Sequence, residues 1–271
     1  MYFVTQAYDM PWFNDYLGIP VADHFEQISE ALPDYVRREH LTYQDPDDYM
    51  NIHYKTDHHW NHRGSRRGYE DIYSMMSRDF DMGDMLVPKK ENRASGTYDF
   101  VYLGSYGRAL GELYEGYDEF SFYEYDLPDR ELAVIDPDSL DEMKVSEMGL
   151  YDEYEKGKIN REIGTDHYIV LYGTSCDTDG NEYGDNEYPF IIRNREGNGK
   201  NLLITGDSYD RAMRDELAAH FDTTVYLDRR IYSKIPIDFI IEKYDIDALL
   251  LSSQKSLWGS EDYPFTFRGE E

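Results

Sequence analysis

Two short blocks of the sequence hold the residue types that could support catalysis. The first is Asp57-His58-His59-Trp60 and the second is Gly206-Asp207-Ser208. A serine hydroxyl becomes a nucleophile when a histidine takes its proton, and that histidine needs a carboxylate to fix its tautomer. Residues two apart in an extended segment point the same way, so Asp57 is expected to hold the Nδ1–H of His59 while Nε2 faces Ser208. His58 would then point to the opposite side.

Each block also has a purely structural interpretation. Ser208 follows an apolar strand and precedes a helix, where a serine cap contributes about 1 kcal/mol. The same position favours an attacking serine, because N–H groups at a helix N-terminus stabilise a developing oxyanion. The Asp-His-His-Trp block alone is compatible with a polar loop. The two blocks together favour a serine nucleophile, Ser208, with His59 and Asp57 as its acid-base partners.

A metal site is the alternative use of the first block. Five potential ligands fall within ten residues: His53, Asp57, His58, His59 and His62. A zinc or iron hydrolase would use two or three of them with a distant carboxylate. Their spacing matches no standard ligand pattern and leaves Gly206-Asp207-Ser208 without a role, so we expect no metal and no cofactor.

An acidic stretch in the middle of the chain invites a calcium interpretation. Asp177-Thr178-Asp179-Gly180-Asn181-Glu182 has its glycine at the fourth position, whereas an EF-hand loop requires it at the sixth. The pattern therefore favours a hairpin turn.

The elements that position Ser208 follow an alternating pattern. Apolar strands are predicted at 202–205, 224–227 and 246–251, with helices between them. Such alternation is typical of a parallel sheet covered by helices. Sites in these sheets form beyond the carboxyl ends of the strands, where Ser208 and residues 228–232 lie.

The remainder of the chain is predicted to add a strand at 2–6, a helix at 23–31 and a helix from 61 to about 80. Residues 92–196 hold short β-like runs at 98–103, 120–123, 168–172 and 188–192. We interpret this part as a β-rich insertion within a single domain spanning residues 1–271.

Composition excludes several function classes. Lys and Arg total 27 against 56 for Asp and Glu, a formal charge of −29, which disfavours a nucleic-acid partner. Cys176 is the single cysteine, so no intramolecular disulfide framework exists. The sequence contains no run of about 18 apolar residues, and its first residues lack the pattern of a secretory signal. We expect no membrane span in this chain, and no signal peptide or anchor is visible in it.

The first block, with its neighbours, resembles a known family. Residues 54–61, Tyr-Lys-Thr-Asp-His-His-Trp-Asn, and the following Gly64 resemble the signature of the DHHW family. That family is a branch of the SGNH hydrolase-like proteins, similar to those that O-acetylate alginate. Residues 202–209 resemble the serine block of the same group. The resemblance implies an α/β fold, an SGNH or flavodoxin-like three-layer sandwich with a mostly parallel sheet in permuted order. Matching motifs assign orienting, base and nucleophile roles to Asp57, His59 and Ser208.

A third block resembles another family segment. Residues 228–232, Asp-Arg-Arg-Ile-Tyr, are similar to the family's Asp-x-Arg-Tyr-Tyr, with Arg230 matching the arginine and Ile231 departing from the pattern. Arg230, Tyr209 and Tyr232 are thus candidates for substrate binding or oxyanion stabilisation, although Arg230 could instead pair with Asp228. The usual SGNH oxyanion glycine and asparagine have no clear equivalents.

The resemblance also implies a function. It points to serine-dependent acetyl transfer or ester hydrolysis on a cell-surface or secreted polysaccharide, in the cell envelope or outside the cytoplasm. The partners would be a polysaccharide acceptor and an acetyl donor such as a membrane acyl carrier protein. The alternative is a catalytically weak glycan-binding or cell-envelope assembly protein of the same fold.

Overall fold

The computed structural model describes residues 1–6, 24–93, 101–102, 105–110, 118–119, 121–144, 175–176, 182–183, 189–228 and 235–254. The helices in these ranges are α1 (His24–Ala31), α2 (Pro46–Ile52), α3 (His62–Met76), α4 (Ser105–Leu110), α5 (Ser208–Arg211), α6 (Arg214–Ala218) and α7 (Ile237–Lys243). The strands are β1 (Tyr2–Gln6), β2 (Arg37–Leu41), β3 (Lys90–Arg93), β4 (Val101–Tyr102), β5 (Asp118–Glu119), β6 (Ser121–Glu124), β7 (Arg130–Ile135), β8 (Glu142–Lys144), β9 (Ser175–Cys176), β10 (Glu182–Tyr183), β11 (Phe190–Asn194), β12 (Asn201–Gly206), β13 (Thr223–Asp228) and β14 (Ala248–Gln254).

A mixed sheet organises the molecule. Its eight strands run in the order β2-β1-β14-β12-β13-β11-β7-β8. The pairings from β2 to β13 are parallel, and those from β13 to β8 are antiparallel. This mostly parallel sheet with helices confirms the predicted α/β class.

The two faces of the sheet support separate cores, because side chains alternate along each strand. Leu202 and Ile204 of β12 pack with α3, α5 and α6, whereas Leu203 between them packs with α7. All three side chains are buried, and complete burial of a leucine or isoleucine contributes on the order of 1.5–3 kcal/mol. Helices therefore cover both faces, and the sheet forms the middle of three layers.

The register of the parallel strands sets the position of the candidate site. Gly206 at the end of β12 lies opposite Asp228 at the end of β13. Parallel strands end at the same edge of a sheet, so the turn into α5 begins beside the end of β13.

The structure differs from the sequence prediction at several elements. α3 ends at Met76 rather than near residue 80, and the helix predicted after β12 is divided into α5 and α6. The edge strand β2 and the helix α2 were not predicted, because β2 is rich in charge and α2 begins in a polar Asp-Pro stretch. Such charges are common on edge strands, where they oppose pairing with another chain.

The segment interpreted as an insertion contributes to the main sheet. β7, β8 and β11 pair in it, whereas the pairs β3-β6 and β4-β5 form small separate ladders. The predicted run at 168–172 lies outside the described residues, and the single-domain organisation stays a prediction. Among the helices of the described ranges, none combines the length and the apolar character needed to cross a membrane.

Candidate active site

The Asp-His-His-Trp block forms a closed loop between α2 and α3. His53 and Trp60 form an antiparallel bridge at its base, and the Tyr54 N–H donates to the His59 carbonyl at 3.2 Å. Between them the chain bends rather than running extended. The bends bring the side chains of Asp57, His58 and His59 together.

Residues distant in sequence hold this loop. The carboxylate of Asp118 in β5 accepts the N–H of Lys55 at 3.0 Å and that of Thr56 at 2.7 Å. The Gly107 N–H in α4 donates to the Thr56 carbonyl at 3.0 Å. The backbone just before Asp57 is thus fixed by α4 and β5.

Asp57 lies at the centre of the loop and is 1% exposed. Its Oδ1 is 3.3 Å from His59 Nδ1. The same oxygen is 2.8 Å from His58 Nδ1 and accepts the His58 backbone N–H at 2.7 Å. The prediction that His58 points to the opposite side is therefore wrong, because the loop is bent and both rings turn toward one oxygen. The two imidazole rings are tilted against each other, with centroids 3.9 Å apart.

Accessibility distinguishes the two histidines. The His59 side chain is 8% exposed, whereas the His58 side chain is 30% exposed. A bond from His59 Nδ1–H to Asp57 leaves Nε2 as the hydrogen-bond acceptor, the protonation state that a general base requires. The buried ring is held in that orientation, and the more accessible ring lies beside it.

The start of α3 packs against the loop and stabilises it. Asn61 is the N-cap, with Oδ1 accepting the N–H groups of Arg63 and Gly64. Trp60 packs against Gly64 and Gly68: a Cβ at Gly64 would lie 2.5 Å from Trp60 Cβ, and one at Gly68 would lie 2.5 Å from Cη2 of the indole. The glycines thus let the Trp60 ring pack directly on the helix.

Ser208 is the first residue of α5, and the preceding Asp207 is the helix N-cap. The Asp207 carboxylate accepts the Tyr209 N–H at 3.0 Å, and Asp210 Oδ2 accepts the Asp207 N–H at 3.1 Å. The interpretation of Ser208 as the helix cap is therefore wrong, because aspartate performs that function. The Tyr209 N–H is engaged by the cap and is not an oxyanion donor in this arrangement.

Tyr209 joins the two sequence blocks. Its ring lies 5.2 Å from that of His59 and 5.3 Å from that of Trp60, measured between centroids. Its hydroxyl donates to the His58 carbonyl. The residue next to Ser208 along the chain therefore contacts the Asp-His-His-Trp loop directly, although Tyr209 and His58 are 151 residues apart in the sequence.

Three buried carboxylates belong to α5, to its N-cap and to the end of β13. Asp207, Asp210 and Asp228 are each 0% exposed. Burial, and secondarily the charge of Asp207, raises the pKa of Asp210 to about 8. A Cβ at Gly206 would collide with Asp210 Oδ2, so glycine at that position makes room for this carboxyl group.

The structure separates the potential metal ligands into groups. Ligand atoms of Asp57, His58 and His59 lie within 4.8 Å of one another. His53 instead stacks on Tyr49, and His62 Nε2 lies 2.9 Å from Glu91 Oε1. Only part of the five-residue cluster thus converges on one point.

Arg230 and Tyr232 lie outside the described residues, as do residues 177–181 of the acidic stretch. The strands that flank that stretch, β9 and β10, pair antiparallel, as in a hairpin.

Sequence reasoning missed three contributors to the site: His58, Asp118, and Tyr106 in α4, whose ring centroid is 5.9 Å from that of His58. The period-two argument misplaced the first. The other two lie some 50 to 60 residues further along the chain, on short elements with no local motif. Their contacts with the loop depend entirely on tertiary structure.

Comparisons with known proteins identify the fold. No protein-family model matches the sequence, and no curated protein matches it. Two structures of Bacillus cereus PatB1 are similar at a TM-score of 0.64 and 17% identity; one, with a sulfonyl adduct, covers 97% of this chain and 84% of the PatB1 chain. The other covers 98% and 86%. A DHHW family protein from Eubacterium siraeum is similar at a TM-score of 0.60 and 17% identity, over 93% of this chain and 77% of that protein. The chain thus has the fold of PatB1 and of this DHHW family protein.

Proposed function

We propose that this protein is a serine-dependent acyltransferase or esterase that acts on acetyl esters of a cell-surface or secreted polysaccharide. Ser208 is the nucleophile, His59 the general base and Asp57 the residue that orients His59. The donor would be an acetyl carrier, such as a membrane acyl carrier protein, and the work would take place at the cell envelope.

The observation that carries this proposal is the contact between Tyr209 and the Asp-His-His-Trp loop. Ser208 is adjacent to a side chain that packs on His59 and bonds to the His58 carbonyl. Asp57 Oδ1 is 3.3 Å from His59 Nδ1. A nucleophile, a base and an orienting carboxylate in this order are what acyl transfer through serine requires.

The proposed reaction has two steps. His59 Nε2 takes the Ser208 proton while the oxygen attacks the acetyl carbonyl carbon, and the imidazolium that forms is stabilised by Asp57. The leaving group takes that proton, and a sugar hydroxyl or water then attacks the acetyl-serine. Because the Tyr209 N–H is bonded to Asp207, the Ser208 N–H is the oxyanion donor that we assign to α5, with Arg230 and Tyr232 as candidates for the remainder.

The fold comparison supports the choice of probe. PatB1 has been obtained with a sulfonyl adduct, and sulfonyl fluorides react with activated nucleophilic side chains. Phenylmethanesulfonyl fluoride is therefore a suitable test of an activated Ser208.

The direct experiment compares wild type with Ser208→Ala for hydrolysis of p-nitrophenyl acetate and for labelling by the sulfonyl fluoride. We expect Ser208→Ala to abolish labelling and to lower kcat by roughly 10³-fold or more, as removal of a nucleophile does in other serine enzymes. Ser74→Ala, at an exposed position on α3, is the matched control and should behave as wild type. Equal rates in wild type and Ser208→Ala would exclude the proposal.

A metal-dependent hydrolase is the second candidate, because ligand atoms of Asp57, His58 and His59 lie within 4.8 Å of one another. It predicts that a chelator abolishes hydrolysis and that added zinc restores it. The serine mechanism predicts unchanged rates with the chelator. A wild-type protein that neither hydrolyses the ester nor is labelled would favour the glycan-binding or assembly role.

A further inference from the structure

An exposed aromatic side chain lies at the accessible side of the site. Tyr106 in α4 is 46% exposed, and its ring centroid is 5.9 Å from that of His58. Leu110, one helical turn further on, is 50% exposed. Residues four apart in a helix share a face, so α4 presents two large apolar side chains to solvent next to the loop.

The position of Tyr106 is fixed relative to the catalytic loop. The next residue, Gly107, is buried and donates its N–H to the Thr56 carbonyl at 3.0 Å, directly before Asp57. Burial, followed by the charge of Asp57, raises the pKa of Tyr106, so its phenol stays neutral. Tyr106 thus offers an uncharged aromatic ring whose backbone is anchored beside the loop.

His58 continues this surface toward His59. Its Nδ1 is 2.8 Å from Asp57 Oδ1, which makes Nε2 the acceptor nitrogen of the neutral ring. The ring is tilted against His59 at 3.9 Å between centroids. A hydroxyl bound by His58 would therefore be close to the base.

We propose that Tyr106 and His58 form the binding site for the acyl acceptor, an uncharged sugar ring that stacks on Tyr106 while one hydroxyl bonds to His58. The proposal rests on the function proposed above and specifies its acceptor. A tyrosine ring offers an apolar face and a polar edge, which match the apolar face and hydroxyl rim of a pyranose. Such side chains bind ligands with little loss of side-chain entropy.

Charge argues for an uncharged acceptor. The chain carries a formal charge of −29, and the site contains the buried carboxylate of Asp57. A polyuronate would approach against this field, whereas a neutral glycan would not.

The transfer step is balanced without any further reactant. The acceptor hydroxyl oxygen forms a bond to the acetyl carbon, and the bond from that carbon to Ser208 Oγ breaks. The hydroxyl proton passes to His59 Nε2 and then to the departing Ser208 oxygen. The products are an acetylated sugar and the regenerated Ser208 hydroxyl.

The test uses the full chain with p-nitrophenyl acetate as donor and cellopentaose or pentagalacturonate as acceptor. Acetylated oligosaccharide is measured by mass spectrometry and divided by the sulfonyl-labelled Ser208 of the same preparation. We expect cellopentaose to be acetylated at least fivefold faster than pentagalacturonate. Tyr106→Ala should lower this normalised transfer at least fivefold and raise the KM for cellopentaose, and Tyr106→Phe, which keeps the ring, should restore most of it.

Tyr35→Ala removes another exposed tyrosine, one that is 74% exposed, and should transfer as wild type. Labelling of wild type without transfer to cellopentaose would overturn the acceptor site alone, as would equal normalised transfer by wild type and Tyr106→Ala. Equal use of the two oligosaccharides would overturn the assignment of an uncharged acceptor. Absence of labelling would overturn the proposed function itself.

Discussion

At the scale of single residues, the site depends on how one carboxylate oxygen is shared. Asp57 Oδ1 accepts from the His58 N–H and lies near Nδ1 of both imidazoles, at 2.8 Å for His58 and 3.3 Å for His59. The shorter distance belongs to the more exposed ring. His58 therefore helps to hold the carboxylate, while the buried His59 keeps the orientation needed to accept a proton.

Asp57→Asn tests this arrangement. An asparagine amide keeps the shape of Asp57 but can present N–H to His59, which favours the wrong tautomer and leaves no base at Nε2. We expect kcat for p-nitrophenyl acetate to fall by roughly 10³- to 10⁴-fold, by analogy with the same change in another serine triad. Sulfonyl labelling should slow in parallel. Circular dichroism should show an intact fold, and wild-type kinetics in Asp57→Asn would remove Asp57 from the mechanism.

At the scale of elements, the start of α3 and the loop before it act as one unit. The Asn61 N–H donates to the Ile52 carbonyl at 2.9 Å, and a Cβ at Gly64 would lie 2.4 Å from the same carbonyl oxygen and 2.5 Å from Trp60 Cβ. Backbone at this distance cannot move aside without opening the base of the loop. Gly64 is therefore a requirement of the loop and not of the helix.

Gly64→Ala should consequently lower both stability and activity. The added methyl improves helix propensity by about 1 kcal/mol, but overpacking costs about 1–3 kcal/mol, so we expect net destabilisation. Thermal unfolding measures the first effect and hydrolysis of the aryl acetate the second. Ser74→Ala on the exposed face of α3 is the control and should be neutral or slightly stabilising. An increase in Tm for Gly64→Ala would show that Ile52 and Trp60 can move aside to make room for the added methyl group.

The sequence predicted the elements that follow simple patterns. β12, β13, α7 and the start of α3 were found because strand-helix alternation and period-3.6 spacing are local signals. β2 was missed because its charges are those of an edge strand. The position of His58 was missed because the period-two rule holds only for extended backbone. The contacts of Asp118 and Gly107 with the loop have no local signal at all.

At the scale of the whole molecule, buried titratable groups have opposite effects on the free energy of unfolding as pH changes. His220 Nδ1 lies 2.6 Å from the Met82 carbonyl and so must donate, which makes Nε2 the acceptor for the Tyr69 hydroxyl at 2.7 Å. Burial lowers the pKa of His220, and it lowers that of His53 to about 3. The unfolded chain therefore binds protons that the folded one does not, and stability falls as pH drops below about 6.5.

Asp210 has the opposite effect. Burial, and secondarily Asp207, raises its pKa from 3.8 to about 8. Between these values the folded protein retains a proton that the unfolded chain releases, so stability falls as pH rises through this window. Below about pH 6.5 the two effects oppose each other, whereas between about 6.5 and 8 only the Asp210 effect remains, so these groups make stability decline as pH rises through that upper range.

Asp210→Asn separates these contributions. The amide oxygen of asparagine can still accept the Asp207 N–H, which Asp210 accepts at 3.1 Å, and the variant has no proton to release. We expect its free energy of unfolding, relative to wild type, to increase with pH between about 5 and 8, by up to about 1.4 kcal/mol per pH unit. Urea unfolding at several pH values measures this difference. Asp138→Asn, which changes an exposed acid, should follow wild type at every pH. A difference between Asp210→Asn and wild type that does not change with pH would show that Asp210 is already ionised in the folded protein. Any decline of stability at high pH would then be caused by another titratable group.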